Sequence, residues 1–181
     1  MIKRFLSLFA LAALSLQAAY PQTGGTSDSA KQIKAGEIVQ LGVGLTLRVA
    51  KATKSFPGVK VKGEPVVVVL DLEGGKKGAT LFYKLNTDPR TSDVRLTVGT
   101  QRLAPRAVID DFPSWGKDND KEVEVVDSKG VGGVTLTFER KGSVTLLFDV
   151  PPEQSKTPQK LSLTLRTIKP TDETYSFVVA L

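Results

Sequence analysis

From Ile33 onward, apolar and polar residues alternate with a period of two, and this alternation constrains the fold more than any other feature of the chain. Leu45-Thr46-Leu47-Arg48-Val49 is a plain instance. Successive side chains of an extended strand point to opposite faces, so such a segment buries one face and wets the other. Past the first twenty residues, no stretch repeats apolar residues at the i, i+3, i+4, i+7 spacing of an amphipathic helix.

The strands are punctuated by turn chemistry. Pro65 opens the run Val66-Val67-Val68-Val69-Leu70-Asp71-Leu72, β-branched and too apolar for an edge, which predicts a central strand. Residues 73–78 (Glu-Gly-Gly-Lys-Lys-Gly) form a turn, and 79–85 the next strand. Gly99-Thr100 predicts a two-residue hairpin between strands at 93–98 and 101–109. Residues 122–126 alternate, and Asp127-Ser128-Lys129-Gly130 turns. Lys141-Gly142 is expected to make a second tight hairpin between 133–140 and 143–150. After Pro151-Pro152, two further strands are expected at 161–168 and 175–180. Eight to ten short strands at this spacing predict an all-β, antiparallel β-sandwich. No fixed-period repeat points to a solenoid or propeller.

The N-terminus reads differently. Met1-Ile2-Lys3-Arg4 precedes an apolar run over 5–16, with small residues at Ala18 and Ala19. That is the pattern of a secretory signal peptide over residues 1–19. The run is shorter than the roughly 20 apolar residues that cross a bilayer, so no transmembrane segment is expected in the mature chain. Residues 20–35 begin with a Ser-, Thr-, Gly- and Gln-rich stretch without hydrophobic periodicity and are expected to form a flexible linker. The sandwich domain is then expected over 36–181. Export places it in a periplasm, on a cell surface or outside the cell. Cysteine is absent, so burial and hydrogen bonds hold the fold without disulfides. The net charge is +6, or +4 once Lys3 and Arg4 leave with the signal. The basic residues are spread among acids and apolar residues, which argues against nucleic acid as a partner.

One resemblance rests on two segments. "AGEIVQLGVGLTLRVAKATKS" and "GSVTLLFDVPPE" look like the opening and late strands of bacterial secreted immunoglobulin-like β-sandwich domains of unknown function. The matching positions are Gly36, Val39, Gly42, Leu45, Leu47 and Val49, then Gly142, Val144, Leu146, Phe148, Val150 and Pro151. Where that family usually continues its central strand into an Asn-containing turn, this chain has Glu73-Gly74-Gly75. The resemblance implies an immunoglobulin-like fold and export, and it carries no catalytic residues over.

The chain contains no histidine and no cysteine. This removes Ser-His-Asp and Cys-His catalysis and the usual ligands of zinc and copper. Within the stretch 110–122, Asp118, Asp120 and Glu122 alternate as hard oxygen donors that suit calcium, although the spacing is not that of an EF-hand and Lys117 and Lys121 oppose a cation. Ser114 and Lys117 match the S-x-x-K spelling of serine acyl-enzymes but lack the helix and partner motifs that chemistry requires. Phe112 and Trp115, flanked by Pro113 and Gly116, are the candidate partner-binding residues, because a large rigid aromatic at a loop desolvates well; the alternative is that Trp115 folds back to cap the sandwich core. Asp110, Asp149 and Glu153 are the carboxylates that a glycoside hydrolase would have to bring together. Together these features predict a non-enzymatic, cofactor-free envelope protein contacting a protein partner in a larger cell-envelope assembly. The alternative is a calcium- or carbohydrate-binding module using 110–122.

Overall fold

The computed structural model describes residues 30–53, 56–74, 79–111, 123–130, 134–136, 141–169 and 172–181. They fold as a two-sheet β-sandwich without α-helix among the described residues. The strands are β1 (Lys31–Lys34), β2 (Ile38–Gln40), β3 (Thr46–Ala52), β4 (Glu64–Glu73), β5 (Ala79–Phe82), β6 (Val94–Val98), β7 (Gln101–Leu103), β8 (Ala107–Asp111), β9 (Val123–Val125), β10 (Val134–Leu136), β11 (Lys141–Val150), β12 (Gln159–Lys169) and β13 (Glu173–Ala180).

One sheet has six strands in the order β2-β3-β4-β11-β8-β9. The run 66–72 lies within β4, central as expected, between β3 and β11. The other sheet has seven strands, with β12 as its spine. β12 pairs with β13 on one side. On its other side it pairs with β6 over Gln159–Leu163 and with β5 from Arg166 onward. Between β5 and β6 the chain leaves the sheet, and Asp93 closes the excursion. Its carboxylate accepts from the Lys84 amide at 2.7 Å, its own amide donates to the Lys84 carbonyl at 2.7 Å, and its carbonyl accepts from the Thr164 amide at 2.8 Å.

The core follows the alternation. Val39, Leu45, Leu47 and Val49 are buried, as are Val144, Leu146, Phe148 and Val150. They meet Leu161, Leu163 and Leu165 from the opposite sheet. Each such side chain removed from water contributes roughly 1.5–3 kcal/mol. A second apolar cluster explains why β4 is apolar on both faces. The β3–β4 connection brings Phe56, Val59 and Val61 over the outward side chains Val67, Ala107, Ile109 and Leu147.

Several boundaries differ from the expectation, two of them where the chain changes sheet. Thirteen strands are described where eight to ten were expected. Residues 101–109 form two strands, β7 in one sheet and β8 in the other, with buried Pro105 at the crossing and the Arg106 amide already bonded to the Leu147 carbonyl at 2.7 Å. Lys141-Gly142 is not a hairpin. Both residues lie within β11, opposite Glu73 and Leu72, while β10 pairs with β5 in the other sheet. Gly99-Thr100 does turn as expected, with Gly99 at φ +59° and Val98 opposite Gln101. A linker was expected through residue 35, but Lys31–Lys34 form a strand. β1 joins the sandwich parallel to β13, with Ile33 only 4% exposed. The signal peptide of residues 1–19 lies outside the described residues.

Candidate functional site

The outer face of the six-stranded sheet carries a polar cleft of about 660 Å³, a volume in the range of ligand sites. Strand register builds it. Ile38, Arg48, Asp71, Ser143 and Asp111 stand directly opposite one another across β2, β3, β4, β11 and β8. One step along, Thr46, Glu73 and Lys141 form a second row. Leu72 and Gly142 complete the lining.

Two cross-strand ion pairs organise the cleft. Arg48 donates from Nε and Nη2 to one oxygen, Asp71 Oδ2, at 2.9 and 2.6 Å. Lys141 Nζ lies 3.0 Å from Glu73 Oε2. The side chains are between about a third and three quarters exposed, so each pair contributes little to stability, about 0–1 kcal/mol. Their effect is to hold charges in fixed positions on an open surface. Ile38, 65% exposed, supplies an apolar rim on the edge strand β2. Among the described residues no aromatic side chain lines the cleft.

At the end of β8 the chemistry is acidic, and Asp110 there is exposed. Asp110 shares the inward parity of Val108. Partial burial, then the neighbouring Glu124 and Asp111 carboxylates, push its pKa up to about 6. Burial, with Asp110 and Glu124 adding to it, raises the Tyr83 phenol as well. Removing a proton from either group adds negative charge to an environment that is already desolvated and acidic.

The glycosidase carboxylates are not brought together. Asp110 stands opposite Val144 and Asp149 opposite Pro65 on β4, five residues further along β11 or about 17 Å. A hydrolytic pair needs roughly 5–9.5 Å. Asp149 is also engaged elsewhere, accepting from the amides of Gly63 and Lys62 at 2.7 and 3.2 Å. Glu153 is exposed on the short 3-10 turn Pro152–Gln154. The calcium candidates Asp118, Asp120 and Glu122, the aromatics Phe112 and Trp115, and the Ser114/Lys117 pair lie outside the described residues. Among the described residues no group of three or more acidic side chains is placed to hold a metal ion.

Sequence reasoning missed the cleft. Its signal was present in Arg48 and Asp71, charges that alternate with the apolar core positions Leu47, Val49, Leu70 and Leu72. That they meet depends on register, which two separate strands do not encode locally.

The class defined by these observations is the all-β, two-sheet sandwich. No protein-family model and no curated protein matches the chain. Among solved structures, it is similar to an uncharacterised β-sandwich protein from Clostridium difficile, at 12% identity and a TM-score of 0.43, covering 87% of this chain and 98% of that one. It also has a likeness to a family 123 glycoside hydrolase from Clostridium perfringens, at 8% identity and a TM-score of 0.31, over 67% of this chain and 22% of the hydrolase. A DUF4466 family protein from Parabacteroides merdae matches at 9% identity and a TM-score of 0.30, over 74% of this chain and 42% of that one. Among the described residues no helix is long and apolar enough to cross a membrane.

Proposed function

We propose that this chain is an exported, non-enzymatic envelope protein of the secreted immunoglobulin-like kind, which binds a protein of a larger cell-envelope assembly through the outer cleft of its six-stranded sheet. The observation that carries this reading is the pair of cross-strand ion pairs, Arg48–Asp71 and Glu73–Lys141, displayed side by side on an open face beside an exposed edge strand. Charges fixed in place discriminate partners more than they stabilise a fold. The absence of histidine and cysteine from the sequence supports a binding role over acid–base or nucleophilic chemistry. Export is supported by Lys3-Arg4 and the apolar run after them. Phe112 and Trp115 fit the same reading, because they follow closely in sequence on Asp111, the last residue of β8 and part of the cleft wall.

Placing a photo-crosslinking residue at Ser143, with a matched probe at Lys129, tests this in intact cells. A discrete adduct from position 143, absent from 129 and lost on Arg48→Glu, is the expected result. Equal labelling from both positions overturns it.

A second reading, calcium binding by Asp118, Asp120 and Glu122, draws support from Asp110 and Glu124, which sit on the strands bracketing 112–122. Calcium would then raise the melting temperature and EDTA would reverse the rise. An unchanged melting curve removes this reading.

A further inference from the structure

The two outer faces of the sandwich differ in charge. On the six-stranded sheet, Arg48 and Lys141 are each paired with a carboxylate. On the seven-stranded sheet, register puts Lys34, Ala180, Lys160, Thr97 and Arg102 in one row across β1, β13, β12, β6 and β7. The adjoining row contains Gln32, Val178, Ser162 and Arg95. Further along β12, Arg166 stands between Thr174 and Phe82. The outward positions of this sheet thus carry five cations, Lys34, Arg95, Arg102, Lys160 and Arg166, separated by serine, threonine, alanine, valine and glutamine. No aspartate or glutamate occupies any of them.

None of the five makes a side-chain hydrogen bond or ion pair among the described residues, whose ion pairs are Arg48–Asp71, Arg90–Asp88 and Lys141–Glu73. Strand spacing sets Lys34, Lys160 and Arg102 about 10 Å apart in their row, and Arg166 about 20 Å from Lys160 along the strand. The face therefore spans a patch rather than a point. At the Arg166 end the same sheet exposes two large apolar side chains, Phe82 at 38% and Ile168 at 50%. Ile168 falls where the β12–β5 register shifts between Thr167 and Lys169.

We infer that this face seats on the surface of an anionic phospholipid bilayer. Unpaired cations spread across a broad sheet face match a plane of negative headgroups, and exposed apolar side chains among them can enter the headgroup boundary. A soluble polyanion would use the same cations but would gain nothing from Phe82 and Ile168. The inference goes beyond the cleft reading and is tested apart from it.

The experiment is co-sedimentation of the full chain with vesicles of mixed phosphatidylglycerol and phosphatidylcholine, against phosphatidylcholine alone. Because Lys3, Arg4 and the apolar run after them also favour anionic vesicles, the contribution of this face is read from variants that keep that segment intact. Binding to the anionic vesicles only, released by about 0.5 M salt, is expected. Each cation removed should lower affinity about five-fold, and K160E/R166E should lower it on the order of a hundred-fold or more. Reversing Lys60 and Lys62, equal in charge change but exposed on the β3–β4 connection that covers the other sheet, should leave binding within a few-fold of the parent. F82A/I168A should weaken vesicle binding and leave heparin binding unchanged. Three results overturn the inference: no preference for anionic vesicles, equal loss from K60E/K62E, or binding to heparin with none to vesicles. Circular dichroism of each variant separates lost binding from lost fold.

Discussion

The amide of Gly63 donates to Asp149 Oδ1 at 2.7 Å, and a side chain at Gly63 would collide with the backbone carbonyl of Val150. This contact fastens the β3–β4 connection to the end of β11, on the flank that carries the Phe56 cluster. The obstacle is backbone on a ten-residue strand, so it has little freedom to yield. Gly63→Ala should therefore destabilise the fold by about 2–3 kcal/mol, read as a lower urea midpoint. Asp149→Ala, which leaves two amides without their acceptor, should cost about 1–3 kcal/mol. Wild-type midpoints for both variants would show that the connection is not held this way.

Phe56 tests the second apolar cluster. It is nearly buried against Val67, Ala107, Ile109 and Leu147. Phe56→Ala should cost about 3 kcal/mol, which for a domain of this size lowers the melting temperature by roughly 9 °C. A loss of one or two degrees would mean that the cluster is open to water.

Asp110 makes the stability depend on pH. Its carboxyl titrates near 6 in the fold and near 3.9 in an unfolded chain. Between those values the native state holds the proton more tightly, so this group's contribution to stability is fully present below about pH 4 and is lost as pH rises to 6. Asp110→Asn removes that loss. Allowing for solvent access, the variant should be about 1 kcal/mol more stable than the parent at neutral pH, and equal to it at pH 4. A variant less stable than the parent at neutral pH would show that the ionised carboxylate is wanted where it is.

Tyr175 joins β13 to the turn between β2 and β3. Its phenol oxygen accepts from the Gly42 amide at 2.9 Å, and its hydroxyl donates to the Glu173 carboxylate. Tyr175→Phe keeps the ring and loses both bonds, at a cost of about 1 kcal/mol in thermal or urea unfolding. Gly42→Ala, which would push against the same oxygen, should cost about as much again, and the two effects should not add.

The parts of the fold that were legible in the sequence are local. The alternation at 45–49 and 144–150, the central run 66–72, and the Gly99-Thr100 and Asp127–Gly130 turns all depend on neighbours a few residues apart. In the last of these, Asp127 Oδ1 caps the amides of Lys129 and Gly130 at 2.8 and 3.2 Å. What was not legible is where the chain crosses between sheets. Gln101–Leu103 and Ala107–Asp111 read as one run because the crossing at Pro105 keeps both ends extended. Lys141-Gly142 read as a turn because its composition suits one, yet pairing with Glu73 and Leu72 keeps it in a strand. The candidate site fared likewise. Arg48 and Asp71 were visible as residues, and only the β3–β4 register makes them a pair.

The parallel pairing of β1 with β13 has a mechanical consequence. Lys31 lies beside Phe177 and Lys34 beside Ala180, so the two strands run the same way. Tension applied between Lys31 and Ala180 pulls these strands past each other along their length. Every bridge between them is then loaded at once, where an antiparallel pair pulled from one end would open bond by bond. A domain tethered through these two strands would resist stretching in the direction in which it is pulled.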